Sequence, residues 1–346
     1  MLISKVRLPR VSGLLVLAVF VIAVLAASLA GAAQVTLPGD SFDNMAQGKV
    51  VIRALWGKGA DQIGLLKEPD CGPQGAMSFT VGKDGSIYIL DQINERVQKY
   101  DAQGKIVGST PIGTSLADTI AVADTGEVYV MDSILTRKIW LAGADRANSV
   151  NSWSLPSVTG LAQATDLTVV DGVVWVEGGH TKRYPVISNG KTLSAESVLM
   201  GAVDGRKGSA DIASVTAVKK GTGRVTLGVE GKSALEGSID LDVVSERDIL
   251  SVETLATDAA GRIYLGLLLY KEGPEPTFDL LGSCFSVACI KADGTLIGLV
   301  DTPEKTYTEN RRRLVVAQDG TIYQMQTDSA GLQFVAYTIP SGGQAR

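Results

Sequence analysis

The stretch from Gly75 to Val107 reads as four short strands in succession, and its architecture limits what the chain can become. Ala76–Val81 is apolar and β-branched, and Lys83-Asp84-Gly85 supplies a tight turn. Ser86–Leu90 is a second strand that ends on Asp91, and Arg96–Tyr100 alternates like a strand with one wet face. Asp101-Ala102-Gln103-Gly104 then turns the chain into Lys105–Val107. One such sheet cannot bury both of its faces alone, so the fold depends on whether the unit recurs.

It recurs. Thr119–Val122, the turn Ala123–Gly126 and Glu127–Met131 followed by Asp132 repeat the first half, with Arg137–Leu141 as a third strand. Asp166–Val170, Asp171-Gly172 and Val173–Val176 repeat it again, followed by Arg183–Val186. Thr254–Thr257, Asp258–Gly261 and Arg262–Leu265 form a further copy, continued by Phe285–Lys291 and Thr295–Val300. The last copy is Leu314–Ala317, Gln318-Asp319-Gly320 and Thr321–Met325, then Leu332–Tyr337. Ser214–Val243 has the length of one more copy but carries only a faint version of the pattern. Repeated four-stranded antiparallel sheets close into a β-propeller, so the fold class expected is all-β.

The pattern of apolar strand, Asp-x-Gly or Asp-Gly, Ile/Val-Tyr-Val/Ile, Asp, then Arg-Val/Ile-x-x-Tyr/Trp resembles NHL-type repeats across most of the chain after Lys49. Trp56-Gly57-Lys58-Gly59 through Gly64, with Pro69 beyond, also looks like the Gly-rich approach to a first repeat of that family. The resemblance implies a six-bladed propeller. It implies little about chemistry, because propellers host binding modules, scaffolds and several enzyme classes. The 39 glycines in 346 residues exceed the usual share of about 7%, as a turn-rich fold requires.

Met1–Ser12 carries Lys5, Arg7 and Arg10, and Gly13–Ala27 is continuously apolar before a run of small residues to Ala33. Residues 1–33 therefore read as an export signal cleaved after Ala33, or as an uncleaved hydrophobic helix anchoring the chain in the inner membrane. Both readings place the remainder in the periplasm or outside the cell, since the positive residues stay inside. Residues 34–47 read as a short linker and 48–346 as the propeller. Lys49–Trp56 is expected to pair beside Leu332–Tyr337 and close the ring, leaving no unpaired edge. Between Leu265 and Phe285 the Gly273-Pro274-Glu275-Pro276 stretch marks an excursion, whose apolar flanks either prolong the blade's strands or cover a partner.

Little of the chain points to catalysis. The only histidine, His180, falls in a Gly-rich turn, which argues against Ser-His-Asp catalysis and against zinc sites built on several histidines. The three cysteines form no metal motif. Cys284 and Cys289 would face opposite ways along one strand; the readings open are a Cys71–Cys284 bridge or three reduced thiols. Asp91 and Asp132 recur at equivalent positions and, with the turn acids Asp84, Asp124, Asp171, Asp258, Asp293 and Asp319, read as acceptors for backbone N–H groups.

The residues opening the innermost strands are the candidates for a site. Asp118, Asp166, Glu253 and Arg313 would line one mouth of the central channel, beside Arg311-Arg312-Arg313, a basic cluster suited to a carboxylate, a phosphate or an acidic partner. Hydrolases resembling the senescence-marker/gluconolactonase group hold a divalent cation at this place, which here would be Ca²⁺ or Mg²⁺ on oxygen ligands. Here the ligand set is incomplete, and blade 1 offers only Ser78. A net charge of −5, made more negative by loss of the basic N-terminus, argues against nucleic acid. The expectation is an extracytoplasmic binding scaffold without a cofactor. It would present Gln92–Glu95, Ser133–Thr136, Gly178–Lys182 and Gly266–Ser283 to an envelope protein or small ligand, touching membrane only through an uncleaved N-terminus; the alternative is the Ca²⁺- or Mg²⁺-dependent hydrolase.

Overall fold

A computed structural model describes residues 33–39, 42–143, 151–180, 182–204, 206–207, 213–219, 223–230, 238–277 and 279–339. The apolar stretch read as a signal or anchor helix lies outside them, except for Ala33. Among the described residues no helix is long and apolar enough to cross a membrane.

The chain forms six β-sheets, the blades of a propeller. Blade 1 is Ser78–Val81, Ile87–Asp91, Arg96–Tyr100 and Ile106–Pro111, all antiparallel. Blade 2 runs from Thr119–Val122 to Ser152–Ser154 and blade 5 from Asp248–Thr257 to Leu296–Pro303 in the same order. In blade 3 the fourth place is shared by Lys191–Thr192 and Val203–Asp204, with the short helix Ala195–Met200 between them. The hairpin turns follow their residues: at Asp171 (φ 49°) and Gly172 (φ 74°) both central positions are left-handed, the geometry of a two-residue type I′ turn.

Ring closure is as expected. The strand Lys49–Leu55 lies antiparallel to Gly331–Tyr337, with Lys49 opposite Ala336 and Leu55 opposite Gly331, and completes blade 6. Ile52 and Ala54 are buried and Arg53 is exposed, so the alternation is real. The turn of blade 1 locks onto this strand, since a Cβ on Gly104 would lie 1.8 Å from the Val51 carbonyl oxygen.

Residues 34–37 of the stretch read as a linker lie in a strand, which corrects that part of the expectation. Ala33–Leu37, which we label β1, pairs in parallel with Ser238–Ser245 and supplies the outer strand of blade 4. Its Val35 and Leu37 are buried while Gln34 and Thr36 face water. Among the described residues blade 4 contributes Ala213–Lys219, Arg224–Glu230 and Ser238–Ser245 of its own, besides the two-residue Arg206–Lys207 strand. Its first hairpin brings Gly223 against the carbonyl oxygens of Ser245 and Arg247, where the chain passes into blade 5. From Ser238–Ser245 the chain passes directly into blade 5, and β1 takes the outer place beside that strand. From β1 the chain passes over blade 5: Phe42 lies 5.5 Å from the Arg247 guanidinium, and the Ala46 N–H donates to Asp301 O at 2.8 Å. The segment is thus a strap over blades 4, 5 and 6.

The excursion in blade 5 resolves as longer strands. Ile263–Glu272 and Leu280–Ile290 stay paired out to Glu272 and Leu280, and Leu267, Leu268 and Leu269 are buried. Gly266–Ser283 is therefore mostly strand rather than a rim loop.

The core lies between blades rather than inside any one of them. Tyr88, Leu90 and Val97 of blade 1 pack on Ile120 and Val130 of blade 2. Leu227 and Val243 of blade 4 pack on Leu255 and Leu265 of blade 5, and β1 adds Val35 and Leu37 to that cluster. Across the closure, Phe79 and Phe334 meet edge to face with ring centroids 4.7 Å apart. Cys284 and Cys289 point into different clusters, as their spacing requires. All three cysteines are free, with Cys71 exposed and the other two buried, so the Cys71–Cys284 bridge is not formed. Burial pushes the Cys284 thiol up to about 12, which leaves it protonated and unreactive.

Candidate functional site

The three consecutive arginines organise the channel mouth. The backbone N–H of Arg311 donates to Met77 O at 2.6 Å, and Met325 N–H donates to Arg313 O at 2.9 Å, which fixes the stretch between blades 1 and 6. Successive side chains of an extended segment diverge, and each guanidinium meets an acid from a different blade. Arg311 Nη2 is 3.4 Å from Asp118 Oδ2 of blade 2. Arg312 pairs with the Asp166 carboxylate of blade 3. Arg313 reaches Glu253 of blade 5 through two nitrogens, at 3.2 and 3.3 Å, and Glu304 at 3.3 Å. Its guanidinium also lies 5.0 Å from the Phe285 ring.

Arg312 makes the widest set of contacts. Besides Asp166 it donates to Phe79 O of blade 1 at 3.2 Å, Ile120 O of blade 2 at 2.8 Å and Leu167 O of blade 3 at 3.2 Å. One side chain rooted before blade 6 thus joins the inner strands of three other blades and closes the mouth. Beneath it lies a channel space of about 450 Å³, lined by residues such as Val122, Leu167, Leu255 and Val315. The opposite end is bounded by the Ala123–Thr125, Asp171-Gly172 and Gln318 turns.

Asp118 is the most enclosed of the acids. It accepts from the Ser133 hydroxyl at 2.6 Å, the Ser133 N–H at 3.2 Å and the Thr119 hydroxyl at 2.9 Å. Burial pushes its carboxyl above the ordinary value, and the Ser133, Arg311 and Thr119 interactions only partly offset this. The mouth is also coupled to the rim through Ser133, which begins the loop of blade 2.

That loop is held from below. Asp132 accepts N–H bonds from Ile134, Leu135 and Thr136 at 2.9, 2.9 and 2.6 Å, and the Thr136 hydroxyl at 2.7 Å. Burial alone would raise the Asp132 carboxyl, but these bonds outweigh it and hold the pKa below its usual value. Ile134 and Leu135 stand out of the loop at 63% and 71% exposure. Leu116, in the neighbouring connection, is also exposed.

The other rim stretches are engaged in structure. Gln92 is buried, donates to Gly75 O at 2.6 Å and accepts from Met77 N–H. Asp91 takes Gly64 N–H at 2.8 Å, Arg96 at 2.8 Å and the Asn94 side-chain amide at 2.9 Å, so it anchors the Gly-rich approach as well as the following turn. Arg96 completes that anchor by donating to Gly59 O and Gln62 O, and Arg137 in blade 2 likewise donates to Leu161 O and Ala162 O. These contacts explain the Arg that opens the third strand of the repeat. His180 sits at φ 57° with Nδ1 2.8 Å from Glu177 Oε1.

Of the four residues singled out in the sequence, Glu253 and Arg313 pair with one another, Asp118 and Asp166 pair with Arg311 and Arg312, and Asp166 and Glu253 are among the residues lining the channel. Sequence reasoning missed Glu304 and the central place of Arg312. The one signal for the latter was three arginines in a row beside register-matched acids.

No protein-family model and no curated protein matches the chain. The chain is similar to the solved structure of Kuenenia stuttgartiensis hydrazine synthase, with a TM-score of 0.45 and 12% identity over 75% of this chain and 74% of that one. It is similar to virginiamycin B lyase from Staphylococcus aureus, with a TM-score of 0.40 and 12% identity over 80% of this chain and 98% of that one. A luciferin-regenerating enzyme matches with a TM-score of 0.40 and 13% identity over 82% of this chain and all of that one.

Proposed function

We propose that the protein is an extracytoplasmic binding scaffold whose plugged face docks a protein partner of the envelope through the blade 2 rim. The observation that carries this reading is the pairing of Asp118, Asp166 and Glu253 with the guanidinium groups of 311–313. Oxygen ligands for Ca²⁺ or Mg²⁺ must converge on the ion with their charge free for it. Here Asp118, Asp166 and Glu253 already accept from cations, so the donor set does not fit a divalent ion and no hydrolytic step is assigned to it.

The same pairs support a docking role. They make the mouth rigid and close to neutral, and through Ser133 they brace the loop bearing Ile134 and Leu135. An apolar wedge held in one conformation loses little freedom on binding, which favours association. The partner reading is tested with a photo-crosslinking amino acid at Leu135 and, as a control, at Gln103 on the opposite face. Adducts at position 135 that vanish with Ile134→Asp, and none at 103, are expected. Equal labelling at the two positions would refute it.

A further inference from the structure

We infer that docking of β1 shields the Ala33–Gln34 bond, so that the N-terminus is processed before blade 4 is completed or not at all. The inference rests on the reading of residues 1–33 as an export signal cleaved after Ala33. The bond then lies inside a secondary-structure element, since Ala33 and Gln34 stand opposite Leu241 and Asp242 in the parallel ladder. Two and four residues beyond the bond, Val35 and Leu37 are 2% and 1% exposed. Further along, the chain is held again, since Phe42 packs against Arg247 and Ala46 is bonded to Asp301.

A membrane-bound signal endopeptidase hydrolyses an extended substrate in its cleft. Water adds across the Ala33–Gln34 amide, leaving a carboxylate on Ala33 and an ammonium group on Gln34. Main-chain groups engaged in a sheet and side chains sunk in a core are not available to such a cleft, so cleavage of the folded chain must wait for β1 to open. The order of events then decides the product. A chain cut before blade 4 closes is released, and Gln34 becomes the first residue of β1. A chain that folds first keeps its apolar segment and stays tethered.

The test uses purified full-length precursor, folded in detergent micelles, with signal peptidase added. It is compared with a variant carrying six Gly/Ser residues between Gln34 and Val35, which moves the bond off the strand but leaves Val35 and Leu37 in place. The folded precursor is expected to be cut about 100-fold or more slowly than the insertion variant, given the burial of two aliphatic side chains that must open first. Leu37→Asp, which undocks β1, is expected to restore cleavage, and circular dichroism checks that the insertion variant keeps its sheet content. Equal rates for precursor and insertion variant would overturn the inference while leaving the signal reading intact. If a synthetic peptide of residues 20–40 is not cut either, the signal reading falls and the inference falls with it.

Discussion

Replacing Arg312 with Ala removes the side chain that closes the channel mouth. It deletes the pair with Asp166 and the donors to Phe79 O, Ile120 O and Leu167 O. Breaking a fully buried ion pair from one side costs about 3–5 kcal/mol. An unsatisfied buried acceptor costs about 1–3 kcal/mol. Both figures must be reduced here, because the side chains of Arg312 and Asp166 are 14% and 23% exposed and water can enter the channel below. A net loss of about 2–4 kcal/mol is expected, seen as a lower urea midpoint with an unchanged slope. Arg312→Lys keeps the charge but not the planar fork, and should lose about 1–2 kcal/mol. A double-mutant cycle with Asp166→Ala should give a coupling of about 1–2 kcal/mol, since the two groups share one contact. A loss below about 0.5 kcal/mol, the size of an ordinary surface change, would refute the keystone role of Arg312.

Three further outcomes follow from the same geometry. Leu37→Asp places a charge where the side chain is 1% exposed and should cost about 3 kcal/mol or more in urea unfolding, whereas a free linker would tolerate it. Asp132→Ala deletes four bonds and should cost about 1–3 kcal/mol at neutral pH. Because the folded pKa of Asp132 is depressed, its stabilisation is present above the unfolded value of about 3.9 and is lost as pH falls through the folded value, so wild type and variant should converge in acid. Asp118 has the opposite sign: its raised pKa makes the folded state the better proton binder, so its contribution falls as pH rises from about 3.9 through the folded value, and Asp118→Asn should flatten that slope in unfolding curves.

The ring was legible because its signal is local. An Asp-Gly turn between two apolar strands is read within a dozen residues, and five blades carry it. The closing strand was legible too, because a ring with one strand to spare at the start has one obvious place for it. Blade 4 was faint for a physical reason: its first hairpin turns on Gly223 without the Asp-Gly signature, and its outer strand comes from the far end of the sequence. β1 itself shows only two inward apolar residues among polar neighbours, so it read as a linker. The site was half legible. Register located Asp118, Asp166 and Glu253, but Arg312 and Asp166 are 146 residues apart, and no local pattern reveals which guanidinium reaches which blade.

With Asp118, Asp166 and Glu253 committed to arginines, the mouth has no carboxylate left over among the described residues to hold a divalent ion. Calorimetric titration of the full chain with Ca²⁺, repeated on Asp166→Ala, tests it most directly. The expected result is no binding heat at millimolar Ca²⁺ in either protein. Saturable binding in wild type that disappears in Asp166→Ala would contradict it and return the channel mouth to metal-dependent chemistry.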